Sequence, residues 1–515
     1  MDIKQVEQQL AKFIYDLETE DRLVRVGLKE TAETEKVYKK YQDLFKRETL
    51  DFLKTEIKKL GGNSPQGRIV NYSSSGAKRN REVQLEALER IYFTIASCYT
   101  GQNLAKDSDK ITSYFSKAKV RVNGEEIAYF QLSPRISKET IFDKREKYDN
   151  EVGKVVSKIN SKILWVLEEE IKLLKSLGFG GYLNYFQAAK SADYRKFYKV
   201  VGKIKKDTDK VWLGSVTKVS QEVLKRPFKK IMACHMLYLR SLSMFDNYYP
   251  VDKVVLTFKK FVQDAGLGDL LSQIEIDDKD RARKNPRAVC YWPNPPKEVH
   301  LVIKPIGGEQ DFEAIMHEGG HGLHAAAVGA HLPITSRLLA RSNALTEAYA
   351  FILEDLVFEP AWLTRYLNVS DHTGGRIKWQ ATFVNLMLLR RYLGKFSYEY
   401  EMFAGNKIKL GAKLYKKNLE ATTGFVIRDS NWLNDMDSGF YSADYLRAWI
   451  GAAQIKDYLV KKYGKNWFFN PKAFKFLRDL WARGVADELE DVVKRLGYKP
   501  WDTSLLISGY KQLLG

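Results

Sequence analysis

Cysteine is scarce in this chain: Cys98, Cys234 and Cys290 are widely spaced, odd in number and without a Cys-x-x-Cys pair. That pattern supports neither a disulfide framework nor a thiolate zinc site, and predicts ordinary buried thiols. Histidine numbers only 7 in 515 residues, so any clustering of imidazoles carries information. No uninterrupted apolar run approaches the roughly 20 residues that cross a bilayer, so no membrane partner is expected. The opening Met1-Asp2-Ile3-Lys4-Gln5 lacks the basic-then-apolar pattern of a secretion signal, and the expectation is a cytoplasmic protein. No segment recurs at a fixed period, which argues against a solenoid. The polar stretch ending Ser73-Ser74-Ser75-Gly76 lacks the Gly-Lys-Ser/Thr ending of a phosphate-cradling loop.

What the chain does have is the balance of a globular protein, with 44% hydrophobic and 29% charged residues. Its length exceeds what one core usually serves, so two or more packed sub-structures and a deep cleft are expected. The net charge of +20 could attract nucleic acid. Yet basic residues are interspersed with acidic ones, as where Lys39-Lys40 lies between Glu35 and Asp43, and no nucleic-acid motif accompanies them. Specific nucleic-acid binding is therefore not expected.

Apolar positions at three- and four-residue spacing (Leu10, Phe13, Ile14, Leu17) predict helices from Gln5 to about Leu60. A loop is predicted from Gly61-Gly62-Asn63-Ser64-Pro65 until helix resumes near Arg81. Val120 to Tyr129 alternates about Asn123-Gly124, a strong hairpin signal. Helical spacing dominates from about Lys144 to Ala265, interrupted at Gly178 to Gly181 and at Arg226-Pro227. After the Pro293-to-Pro296 segment, the branched residues of Val299 to Ile303 suit a strand. Helices then continue to the C-terminus, with breaks at Gly374-Gly375, Gly424 and Gly464. The expected fold class is mainly α with a small β-sheet.

His317-Glu318-Gly319-Gly320-His321 fits the HExxH pattern, in which two imidazoles four residues apart share one helix face and can hold one metal ion. Glu318, next to the first of them, is placed to take a proton from a water at the open coordination position. Phe312, Ile315, Met316 and Leu323 support a buried helix, but Gly319 and Gly320 each weaken one by roughly 1 kcal/mol. Two glycines beside two histidines predict the close approach of a ligand or of another backbone.

An open catalytic zinc site needs a third protein ligand. A third histidine six residues past His321 would mark one large class, but that position is Ala327. A carboxylate on a following helix is the other common solution. Glu347 is a candidate after the break at His331-Leu332-Pro333, with Glu354, Asp355 and Glu359 as competitors. Glu354 lies two turns beyond Glu347, so it could instead orient an imidazole, as could Asp311 or Glu313. Taken singly, each of these is better read as a solvated charge.

The run Met316 to His324, with Gly320 as the second intervening residue, resembles the thimet oligopeptidase and oligoendopeptidase F family of zinc metallopeptidases. The spacing to Glu347 is similar too, and Ser438 to Trp449 resembles that family's downstream tyrosine segment. The resemblance lies in the C-terminal half. It implies one zinc ion per chain held by His317, His321 and Glu347, with Glu318 as the catalytic base. It further implies a bowl- or clam-shaped helical fold around a deep channel, with residues 1–225 as one wall and 226–515 as the catalytic half. Short peptides would be its substrates, cut at internal bonds. Tyr441 and Tyr445, four apart, would donate to the developing oxyanion, and His324 would be a supporting substrate-site residue. The sequence departs from the family in having Gly319 after the glutamate. Asn431, Asn434, Asp435 and Asp437 stand where a histidine precedes the tyrosines.

Val299 and Leu301 are read as part of a strand that pairs with substrate backbone, as edge strands do. His235, His300 and His372 have no motif around them and are read as structural. Two other readings remain: a metallocarboxypeptidase, with Arg447 as the cation for the substrate's free carboxylate, and a non-catalytic peptide- or nucleic-acid-binding protein.

Overall fold

The computed structural model describes residues 2–61 and 77–515, with side chains outside 77–79. The predicted loop from Asn63 to Gly76 lies outside the described residues. The described residues are 71% helical with only small sheets, as the apolar spacing predicts. Helix α1 spans Ile3–Arg25, and its Asp2 cap accepts the N–H of Gln5. Its buried Val6, Leu10 and Phe13 enter an extended apolar core that also takes in Ile91, Phe258, Phe312, Leu353, Leu386 and Leu446. All three cysteines are free thiols, with Cys234 and Cys290 buried.

The hairpin forms as the Asn-Gly signal predicts. Strand β1 (Lys119–Val122) pairs antiparallel with β2 (Glu125–Ala128). Asn123 and Gly124 turn between them at φ of 51° and 88°, the positive values that two-residue hairpin turns require. Gly424 and Gly464, at φ 76° and 87°, end helices Gly411–Thr423 and Tyr441–Tyr463 as expected. Gly374-Gly375 does not break the chain. Both lie in the first turns of helix Asp371–Ala404, whose Ser370 cap starts it just upstream. Gly374 is there for contact, since a Cβ would meet Pro360 Cα at 3.1 Å.

A second sheet stands beside the HExxH segment. Strand β3 (Ile274–Asp277) is parallel to β5 (Glu298–Val302), and β4 (Val289–Asn294) is antiparallel to it, in the order β3-β5-β4. This overturns the edge-strand expectation for Val299 and Leu301. Val299 faces Ile274, and Leu301 is bracketed by Ile276 and Cys290. Both side chains are buried, so β5 is the sheet's centre and offers no free backbone to a peptide. The strand with an outer side near the HExxH helix is β4.

Candidate metal and catalytic site

Helix α2 (Glu309–Ala327) carries HExxH, and α3 (Ala344–Glu354) returns alongside it with Glu347. The glycines explain how close they come. A Cβ on Gly320 would lie 2.9 Å from Ala350 Cα, and one on Gly319 would meet the Phe258 ring at 2.3 Å. Gly320→Ala is therefore expected to push α2 off α3 and cost about 1–3 kcal/mol, despite the better helix former. Gly375→Ala, where nothing lies within 4 Å, is expected to gain up to about 1 kcal/mol. Thermal unfolding of the two variants checks the contrast.

His317, His321 and Glu347 converge, each offering a ligand atom within 4.8 Å of the others'. His317 Nε2 lies 3.5 Å from Glu347 Oε2, and His321 Nε2 lies 3.8 Å from Oε1. A tetrahedral ion with bonds of about 2.0–2.2 Å holds its ligand atoms roughly 3.3–3.5 Å apart, so a small closure brings the set to bonding distance. The donor set fits a metal on independent grounds: Glu347 Oε2 is buried without a hydrogen-bond donor, a costly condition unless a cation completes it. Burial pushes the Glu347 carboxyl up to about 7. Burial likewise holds His321 well below its ordinary value, in the neutral form that ligates. At His317 burial acts the same way, but Glu354, Glu347 and Glu318 outweigh it and raise the ring to about 10, marking a place where positive charge is favoured.

The solvated-charge reading of Glu354 is wrong. Its Oε2 stands 2.6 Å from His317 Nδ1, which leaves Nε2 facing Glu347 and fixes the ring. Sequence held the signal, since seven residues after Glu347 is two turns on the same face. Glu354→Ala is expected to weaken metal binding by about 10–100-fold, read by titration against a competing chelator. Asp311 instead accepts the N–H groups of Ile306 and Gly307, both at 2.6 Å, closing the loop ahead of α2. Glu313 lies near Glu354 and is raised to about 7 by burial, with Arg240 opposing.

Glu318 is half-buried, and its Oε2 accepts the Cys290 backbone N–H at 2.8 Å. Burial raises its carboxyl. That amide and the ring of Trp292, whose centroid is 5.6 Å from that of His321, bring β4 into the site. Arg287, exposed in the loop before β4, lies within electrostatic reach of Glu318 and Tyr445. No motif pointed to these residues.

Helix α4 (Tyr441–Tyr463) supplies the tyrosines. The Tyr441 hydroxyl donates to Glu347 Oε1. The Tyr445 ring lies 4.9 Å from that of Tyr441, against Phe351 and Tyr392, and its hydroxyl has no partner among the described residues. The start of α4 is set by Gly439 and Phe440, with φ of 66° and 57°. Buried Asp444 ties α4 to the head of α3 by accepting from the Asn343 N–H at 3.2 Å and Lys190 at 2.6 Å.

The residues standing for the family's histidine serve this scaffold. Asp435 takes Arg391 and the Tyr415 hydroxyl, and Asp437 pairs with Lys395 at 2.9 Å. Asn434 reaches Tyr129, and Asn431 lies in a short helical turn, Asp429–Asn431. His324 is corrected as a substrate residue: it is buried, with Nε2 3.3 Å from the Gly484 carbonyl and its ring against Tyr349. Arg447 is likewise unavailable to a substrate carboxylate, being 3% exposed and bidentate to Glu490 at 2.8 Å through Nε and Nη2.

No protein-family model matches the chain, and no curated protein matches it in sequence. Solved structures do share its fold. A Bacillus anthracis protein described as an oligoendopeptidase F superposes with a TM-score of 0.63 at 15% identity, covering 92% of this chain and 85% of its own. A second structure described as an oligoendopeptidase F gives 0.66 at 14%, covering 100% and 96%. PZ peptidase A with an inhibitor gives 0.60 at 13%, covering 100% and 97%. At such identities the likeness is one of fold, helical and clam-like.

Proposed function

We propose that this chain, built on the oligoendopeptidase F fold, is a metal-dependent peptidase that hydrolyses internal bonds of short peptides. The observation that carries this reading is the meeting of His317, His321 and Glu347 with Glu318 alongside and the Tyr441 hydroxyl on Glu347. A bound divalent ion, zinc being the usual occupant of a His₂Glu set, would supply Lewis acidity that polarises the scissile carbonyl and acidifies water.

The remaining chemistry belongs to the chain. Glu318 takes the proton of the attacking water as its oxygen bonds to the carbonyl carbon. It returns that proton to the amine nitrogen as the C–N bond breaks. The Cys290 amide, bonded to Glu318 Oε2, holds the carboxylate in place through both transfers. Tyr445, and Tyr441 once its hydroxyl turns from Glu347, donate to the oxygen on which negative charge develops. Glu354 fixes the His317 ring.

Among the described residues no helix is long and apolar enough to cross a membrane. A digest of a mixed peptide library, with C-termini free or amidated, tests the reading. The expected result is internal cleavage that tolerates amidation, is abolished by a chelator and is restored by zinc. A metal-loaded protein that cuts nothing would contradict it, and loss of cleavage on amidation would instead mark a carboxypeptidase.

A further inference from the structure

On the outer side of β4, alternate N–H groups leave the sheet. Cys290 N–H goes to Glu318, and Trp292 N–H goes to Glu18 Oε2 on α1 at 3.2 Å. Two residues along an extended strand span on the order of 7 Å, so Glu18 sits about two residues' length from the catalytic base. The Trp292 ring beside His321 joins the two places. Helix α1 is docked, not draped. The Arg25 carbonyl accepts the Asn285 N–H at 2.9 Å, the Val26 carbonyl accepts from Arg281 at 3.1 Å, and Asp21 accepts the Tyr291 hydroxyl.

Glu18 is half-buried, yet no cation among the described residues forms an ion pair with it, not even Arg22 one turn on. Burial, with Asp21 adding to it, raises its carboxyl to about 7 against the pull of the Trp292 N–H. A carboxylate in this setting is stabilised by a cation brought to it.

We propose that Glu18 is a specificity-determining residue that binds a cationic group of the substrate about two residues from the scissile bond. This rests on the peptidase reading. The cation is an ammonium or guanidinium, and it can come from the peptide's free N-terminus or from a Lys or Arg side chain. Glu18 holds the Trp292 amide with one oxygen and offers the other to the ligand. It thereby selects substrates that carry a positive charge at that place.

The test is steady-state cleavage of one parent peptide in matched forms: N-terminus free or acetylated, and Lys or norleucine at each position within three residues of the cut. Wild-type protein and Glu18→Gln, which keeps an acceptor for the Trp292 N–H, are compared. A charge-assisted contact of ordinary strength predicts about a 10-fold or greater preference in kcat/KM for the charged form, carried mainly by KM. In Glu18→Gln that ratio falls toward one. If acetylation removes the preference, the cation is the N-terminus, and if norleucine removes it, the cation is a side chain. A wild type indifferent to charge, or a preference that survives in Glu18→Gln, overturns the proposal while leaving peptidase activity standing. If nothing is cleaved, calorimetric binding of the same peptides decides: charge-dependent affinity lost in Glu18→Gln upholds Glu18 although the peptidase reading has failed, and its absence overturns both.

Discussion

Glu318→Gln is expected to lower kcat for peptide hydrolysis by about 10²–10⁴-fold while the protein still binds its metal. Glu318 is not in the converging ligand set of His317, His321 and Glu347, so its removal leaves the donors intact. A glutamine oxygen still accepts the Cys290 N–H, so the helix and β4 stay in register. What is lost is the ability to take a proton from water and hand it to the departing amine. Kinetics on one internally cleaved peptide, beside elemental analysis of the same preparation, checks both halves. Activity within tenfold of wild type would remove Glu318 from the chemistry.

Tyr441→Phe is expected to lower kcat by about 10²–10³-fold with little change in KM. The hydroxyl also donates to Glu347, so its loss weakens a metal ligand's support as well. Two measurements separate these effects. Excess metal rescues a variant that fails through poor metal retention, and the expectation is that rescue is incomplete. Tyr445→Phe is the partner experiment. Its hydroxyl has no partner among the described residues, so a fall in kcat there without a fall in thermal stability points to the reaction and not to packing.

Much of this site was legible in the sequence because its chemistry is local. His317, Glu318 and His321 occupy one helical turn and a fraction, and Tyr441 and Tyr445 are four apart, so helix geometry alone groups them. Gly319 and Gly320 announced a close approach, and the structure supplies it in Phe258 and Ala350. The rest was hidden because it depends on which elements meet. Nothing in Val299 to Ile303 tells a central strand from an edge, and β5 is central because β3 and β4 flank it. The spacing put Glu354 on the face of Glu347, but which imidazole it holds depends on α3 lying against α2. Glu18 lies 274 residues from Trp292 in sequence, beyond any local pattern. Asp437 read as a departure from the family, yet it pairs with Lys395, and Glu399, which no motif marked, accepts the Asp437 N–H and the Ser442 hydroxyl at the entry to α4.

The most direct test of the account is the metal content of purified wild-type protein and of Glu347→Ala, measured by elemental mass spectrometry after dialysis against metal-free buffer. One equivalent of zinc per wild-type chain, falling to a small fraction in Glu347→Ala, is the predicted result. A variant that keeps its full equivalent, or a wild-type protein that retains no metal when loaded with zinc, would contradict the assignment of His317, His321 and Glu347 as a metal site.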